Sequence, residues 1–429
     1  MNKIMLSLPS PKLNKKEQTN GTALYPYYAG FSYDFVDVSI QMFKKDNMLI
    51  LDPWTGTGLT NRVAQGLGIS SIGLDINPAM ATVAKANLII GNYSLSIKPI
   101  CSEIISKVKK KRVADFYSET DPLLQWFDDE SVKNLRILDY SIYKLLVDEK
   151  LREELTIDIT KLSDIASFFY IVLFKITKSL IKQTYPTSNP SWIKTPKSSD
   201  KKINLKKSDL LDLFSDVVGR QVLLVSQYKD IQHNPTTEVR VCDSQNISID
   251  SSKVDLIVTS PPYCTRIDYA VLTKPELAVL GFESTYFKKL RKEMIGTTAI
   301  DDSSHDMSFG WGESCHHFLK QMSEHASVAS KSYYLKNHIQ YFASMEKSIK
   351  EINRVLKADG DAILVVQDSY YKDLHNDLPL FIAEMATNIG LKLEERVDFK
   401  ARSLSNINSK SLNYRSIKPI YESVLHFKK

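Results

Sequence analysis

The stretch MLILDPWTGTGLTNRVAQGLGISSIGLD, Met48–Asp75, decides the fold. It opens on a short apolar run that ends at Asp52. A turn containing Gly56 and Gly58 follows, then a helical segment from about Asn61 to Gly66, then a second apolar run ending at Asp75. Strand, glycine turn, helix and strand in that order form the unit of a parallel sheet. A helix starting at Pro78 continues the pattern, and TEVRVCD (ending at Asp243) and VDLIV supply a third and a fourth strand. Further on, MEKSIKEINRVLKADGDAILVVQDS reads as a helix, a turn at Asp359–Gly360 and a fifth strand. LFIAEMATNIGLKLEERVDF adds a helix and a sixth strand, and YESVLHF a seventh. The expected class is α/β: a doubly wound, mostly parallel seven-stranded sheet covered by helices on both faces.

Two stretches interrupt the rhythm. The larger, residues 93–234, is helical in pattern and is expected as an insertion between a first catalytic part, 1–92, and the remainder, 235–429. The smaller spans about 283–334. The larger carries two basic clusters, KVKKKR (including Lys109, Lys110, Lys111 and Arg112) and KTPKSSDKKINLKKS (including Lys201, Lys202, Lys206 and Lys207). Charge runs of this kind are ordinarily solvated surface. The chain has 429 residues, 43% of them hydrophobic and 25% charged, with a net charge of +6, so it is a globular chain with a slight basic excess. That excess is compatible with an anionic partner without demanding one.

The four cysteines form no CxxC pair, which argues against a disulfide framework or zinc site and for a reducing cytoplasm. Cys315-His316-His317 is the one local group resembling metal ligands, but adjacent positions rarely converge on one ion, and no metal is expected. The opening segment lacks the sustained apolar core of a signal peptide. The most apolar run, IASFFYIVLFKITKSLI (Ile165–Ile181), is short for a bilayer and is interrupted by Lys175 and Lys178, so it reads as a buried helix.

Ligands of doubly wound sheets bind beyond the carboxyl ends of the strands. The Gly56/Gly58 turn lacks both the third glycine of a dinucleotide fingerprint, Asn61 standing there, and the GK[ST] of a phosphate loop. Asp75 lies about 20 residues past the first glycine, where an acidic side chain receives ribose hydroxyls. With Asp243 at the next strand end, the set suits a nucleoside without a diphosphate. S-adenosylmethionine fits: Asp75 for the ribose, Asp243 for the adenine amine, the glycine turn under the amino-acid moiety and Asp52 toward the ammonium. Each aspartate taken alone could equally be a helix N-cap.

The fourth strand ends in VTSPPY, Val258–Tyr263. Here the sequence resembles the DNA amino-methyltransferases, whose catalytic loop reads (D/N/S)-P-P-(Y/F) after an apolar strand. YPYYAGF (Tyr25–Phe31) is similar to their N-terminal cofactor motif, with Phe31 at its aromatic position. DPWTGTG resembles their DPFxGxG loop, with Asp52, Pro53 and Trp54 leading it and Trp54 in place of phenylalanine. The likeness covers roughly residues 22–90 and 237–429 and implies a Rossmann-like methyltransferase fold using S-adenosylmethionine on double-stranded DNA.

By that resemblance Ser260, Pro261, Pro262 and Tyr263 are the catalytic loop. An exocyclic base amine is a poor nucleophile because its lone pair is conjugated into the ring. Acceptors on both amine hydrogens, Ser260 Oγ and the Pro261 carbonyl, favour a pyramidal nitrogen, and the prolines aim that carbonyl in advance. Tyr263 offers a stacking face for a flipped-out base. The SPPY form points to cytosine N4, with adenine N6 as the rival. Structured RNA and a non-catalytic nucleic-acid-binding scaffold are further alternatives. Cys264 reads as a packing residue, since C5 chemistry would want a Pro-Cys loop. Arg266 is a candidate nucleic-acid contact with Asp268 as its ion-pair partner, and the basic clusters become candidate phosphate contacts. The motif order implies target recognition in the larger interruption, with the smaller as the alternative, and leaves room for a cognate restriction endonuclease or defence-system partner.

Overall fold

The computed structural model describes residues 8–13, 24–26, 30–112, 117–148, 154–188, 192–228, 235–264, 268–300, 306–327, 330–401 and 419–429. Its centre is a seven-stranded sheet. The strands are β1 (Leu49–Asp52), β2 (Ser70–Asp75), β3 (Thr237–Val241), β4 (Val254–Thr259), β5 (Leu356–Gln367), β8 (Lys392–Ala401) and β9 (Ile420–Lys428); β6 (Ser369–Tyr371) and β7 (Leu374–Asn376) form a separate hairpin. The order is β3-β2-β1-β4-β5-β9-β8, parallel except for β9, which runs antiparallel to both neighbours. The chain moves outward from β1 to β3 on one side, then returns to lay β4 against the other side of β1. That reversal is the topological switch point, and it brings the carboxyl ends of β1 and β4 side by side.

Both faces are covered, as the alternation along the strands requires. Ile50, Leu256, Val258, Ile363, Val365 and Val424 pack on one face with α1 (Tyr33–Met42) and α2 (Leu59–Gly66). Leu51, Ile257, Leu364, Val366 and Leu425 face the other way. There α11 (Glu313–Glu324), α12 (Leu335–Val355) and α13 (Leu378–Asn388) supply Phe318, Phe342 and Phe381.

The local expectations hold with small shifts. The second helix begins at Leu59 rather than Asn61, because Gly58 takes the N-cap position with φ +80°. β3 ends at Val241, two residues before Asp243. The anticipated turn at Asp359–Gly360 is instead an irregularity inside a continuous strand: Asp359 has φ +62°, and the β4–β5 register shifts between Val254 and Leu256.

The larger interruption contributes α4 (Ser94–Lys110), α5 (Asp129–Tyr143), α6 (Asp164–Thr184) and α7 (Lys207–Val225). Their core is continuous with that of α3 (Pro78–Ala86) and with residues 277–280, which follow α8 (Tyr269–Leu272) and belong mostly to α9 (Lys274–Val279). The junction includes a buried cation: Arg136 on α5 pairs with Asp121 and Asp139 and donates to the carbonyls of Ala278 and Val279. The Ile165–Ile181 run lies in α6 as a buried helix, and among the described residues no helix is long and apolar enough to cross a membrane. In the smaller interruption lie α10 (Ser284–Glu293) and α11.

Candidate active site

Three walls enclose a cavity of about 940 Å³ at the carboxyl ends of β1, β2 and β4. The first is the turn after β1 with the ends of β2 and β3. Phe31, Asp52, Pro53, Trp54, Gly56, Asp75 and Asp243 all line the cavity, so the positions read from separate strand ends converge. Gly56, at φ +52°, turns its N–H onto Asp75 Oδ2 at 3.2 Å, while Asp75 Oδ1 accepts from Asn77 N at 2.8 Å. Burial pushes the Asp75 carboxyl up to about 7 despite those two bonds. Asp243 is oriented by its own loop, Oδ1 accepting from Gln245 N at 2.9 Å. Gly58 does not line the cavity. A Cβ there would lie 2.9 Å from that of Ala84, so this glycine seats the turn against α3.

Asp52 is almost entirely buried and joins two loops. Its Oδ1 accepts from Thr259 Oγ1 at 2.6 Å and Trp54 N at 3.1 Å, and its Oδ2 from Thr60 Oγ1 at 2.8 Å. Thr259 is the residue before Ser260. The carboxylate therefore fixes the start of the Ser-Pro-Pro-Tyr loop relative to the glycine turn, and burial pushes it up to about 6.

The second wall is that loop. Ser260, Pro261, Pro262 and Tyr263 all line the cavity. Ser260 Oγ donates its proton to the Val365 carbonyl at 3.0 Å, which leaves the oxygen lone pairs for another partner. The Pro262 carbonyl is taken by the Tyr341 hydroxyl at 2.8 Å, whereas nothing among the described residues donates to the Pro261 carbonyl. A Cβ on Gly296 (φ +79°) would lie 2.5 Å from the Tyr263 carbonyl oxygen, so the loop rests on bare backbone there. Cys264 is buried in the core that holds Trp311 and Cys315. Arg266 lies outside the described residues. Among the described residues Asp268 pairs with Arg291 at 2.7 Å, and its other oxygen caps α8 through Val271 N, so Asp268 organises the chain after the loop.

The third wall was not anticipated. Lys175, Lys178, Ser179 and Lys182 of α6 line the cavity opposite the strand ends, with Leu224, Gln227 and Tyr228 at the end of α7. Arg62 lies 3.3 Å over the Tyr228 ring, closing the wall onto α2. Lys178 pairs at 2.5 Å with the buried Glu276, which also accepts from the Tyr25 hydroxyl. The signal was present in the sequence: lysines at i, i+3 and i+7 in an otherwise apolar helix form a stripe, not random interruptions.

The basic clusters fall elsewhere. They meet each other, Lys207 Nζ donating to the Lys111 carbonyl at 2.6 Å, and Lys111 lies 4.0 Å over the Tyr140 ring. Lys202 donates to the Gln125 carbonyl at 2.7 Å; Lys109, Lys110, Arg112, Lys201 and Lys206 are exposed. This patch sits at the start of α7, and the cavity at its far end, roughly 27 Å away by helical rise. Of the metal-like triplet, Cys315 faces the core, and His316 bonds the Ser308 carbonyl at 2.9 Å and stacks on Trp311. Among the described residues no group of three or more potential ligands assembles.

Comparison with known proteins agrees with this geometry. The family model for N6/N4 methyltransferases, described as DNA methylase, matches residues 6–86 and 254–429, which carry every strand of the sheet except β3. The chain is 22% identical over 403 residues to the Type II methyltransferase M.AvaI of Anabaena variabilis, covering 86% of this chain and 79% of that one. It is 24% identical over 370 residues to M.BsoBI of Geobacillus stearothermophilus (81% and 68% covered) and 20% identical over 404 residues to M.MvaI of Kocuria varians (87% and 82%), both also Type II methyltransferases. A mostly parallel methyltransferase-type sheet, a Ser-Pro-Pro-Tyr loop at its switch point and a family match over six of the seven sheet strands place this chain in the N6/N4 DNA methylase family.

Proposed function

We propose that the protein methylates the exocyclic N4 amine of a cytosine flipped out of double-stranded DNA. The observation that carries this reading is the state of Ser260: with its proton committed to Val365, its oxygen presents lone pairs beside the cavity, a neutral acceptor for one amine hydrogen. The Pro261 carbonyl is the acceptor for the other. Tyr263 provides the stacking face that offsets the cost of extrusion. The Asp52–Thr259 bond holds this loop before the base arrives, so little ordering remains for the bound state.

Methyltransferases of this family normally use S-adenosylmethionine, which supplies a methyl group on a positively charged sulfur. The residues present suit it: Asp75 and Asp243 offer carboxylates to hydroxyls and an amine, and Phe31 and Trp54 offer apolar surface. We assign Asp75 to the ribose, Asp243 to the adenine amine, and Pro53 and Gly56 to the floor under the amino-acid part. Asp52, already accepting three hydrogen bonds, acts by holding the loops rather than by contacting the ammonium. We take the larger interruption, 93–234, as the target-recognition region, because its α6 and α7 form the cavity wall facing the strand ends. The exposed lysines of its remote patch serve as outlying phosphate contacts. The Type II designation of the relatives supports pairing with a cognate restriction endonuclease.

Mass spectrometry of nucleosides from DNA treated with the purified chain and S-adenosylmethionine tests the assignment. N4-methylcytosine is the expected product. N6-methyladenine without it overturns the base assignment, and methylation of RNA alone overturns the substrate.

A further inference from the structure

We propose that the C-terminal half of α6 is the phosphate-binding wall of the cavity. Lys175 would hold a phosphate of the DNA strand that carries the target base, and Lys182 the next position toward solvent. The inference rests on DNA being the substrate of this site, and it goes beyond the motif-bearing loops.

From Ala166 to Phe174 the helix is buried without a break, as a core helix should be. Beyond that point Lys175, Lys178, Ser179 and Lys182 fall on one stripe, and all four line the cavity. They are not equivalent. Lys178 is already neutralised by Glu276. Lys175 is half-buried, and none of the described residues gives it a hydrogen bond or an ion pair. Burial and the like charge of Arg220 on α7 push its ammonium down to about 8. A cation held partly out of water, next to another cation and facing an open cavity, is costly in the free protein. An anion entering the cavity supplies the missing partner.

The layout favours a polyanion over a single carboxylate. Lys175 and Lys182 are two helical turns apart, about 10 Å along the axis. They grade from half-buried to exposed, so the stripe runs from the interior of the cavity to its mouth. A sugar-phosphate backbone entering with an extruded nucleotide meets both lysines in turn, as basic grooves that track a single strand do. One carboxylate is too short to reach both. The carboxylates that suit a nucleoside, Asp75 and Asp243, are on the facing wall.

The test uses the full chain and Lys175→Gln, Lys182→Gln and the double variant. DNA affinity is measured by fluorescence anisotropy between 50 and 200 mM salt, and cofactor affinity by calorimetry with S-adenosylmethionine. Lys175→Gln should weaken DNA binding roughly tenfold, independent of sequence, and lower the slope of log affinity against log salt by about one. The double variant should lower it by about two, and Lys175→Arg should restore the lost contact. Thermal stability should be unchanged or higher, since a costly charge is removed. Unchanged DNA affinity and slope in Lys175→Gln would overturn the proposal. So would an intact slope with weakened cofactor binding, which would place the lysine at the cofactor. An error in the base assignment stays distinguishable, because wild type would then modify another base while Lys175→Gln still lost its salt-dependent contact.

Discussion

Replacing Asp52 by asparagine tests whether the buried carboxylate is retained for position rather than for stability. The side chain is about 2% exposed, and burial holds its carboxyl near 6 although three donors favour the charged form. An ordinary aspartate titrates near 4, and two pH units correspond to about 3 kcal/mol. Because the folded value is raised, that stability is present below pH 4 and is lost as pH rises through 6. Asparagine has no such term. It keeps one oxygen for Thr259 Oγ1 and Trp54 N. Its amide can donate to Thr60 Oγ1, whose proton turns to the Val258 carbonyl already 3.2 Å away. Asp52→Asn should therefore be more stable than wild type by roughly 3 kcal/mol at pH 7, with the advantage shrinking to near zero toward pH 4. Urea unfolding of both proteins at several pH values between 4 and 8 measures the difference. A difference that is flat with pH, or an asparagine variant clearly less stable at pH 7, would refute the reasoning.

Three further outcomes follow from named contacts. Ser260→Ala should lower the methylation rate roughly a hundredfold while leaving cofactor affinity nearly unchanged, and a variant that lost cofactor binding first would contradict the role given to the hydroxyl. Since burial holds Asp75 near 7, calorimetric affinity for S-adenosylmethionine should fall as pH drops below 7, by up to tenfold per unit. Asp75→Asn should bind more weakly with that dependence flattened, and unchanged affinity would remove Asp75 from the cofactor site. Arg136→Met strands Asp121 and Asp139 in the interior and should cost about 3–5 kcal/mol, read by denaturation; wild-type stability would show that the network carries little.

The sheet was legible in the sequence because its information is local. A strand that must be buried on both faces is a short apolar run, its end is marked by a polar residue or glycine, and the helix between two parallel strands follows directly. Asp52, Asp75 and the Ser260–Tyr263 loop were found for the same reason, since each sits where an apolar run stops. Ser260 and Asp75 could be placed in one site because the doubly wound topology brings strand ends together.

Other features could be decided only by the folded chain. Lys175 and Lys178 read locally as charges spoiling an apolar helix, and they became a cavity wall only when α6 packed across α3 and faced the strand ends. The basic clusters read locally as solvated surface and became candidate phosphate contacts only through the family resemblance, and the length of α7 puts them at the far end of that helix from the cavity. Asp52 read locally as a strand end facing a ligand, and only the fold showed that Thr259, 207 positions away, bonds one of its oxygens. Local patterning determines which segments form strands and helices. Which side chains share a cavity depends on contacts between residues far apart in the chain, and no sequence spacing encodes those distances.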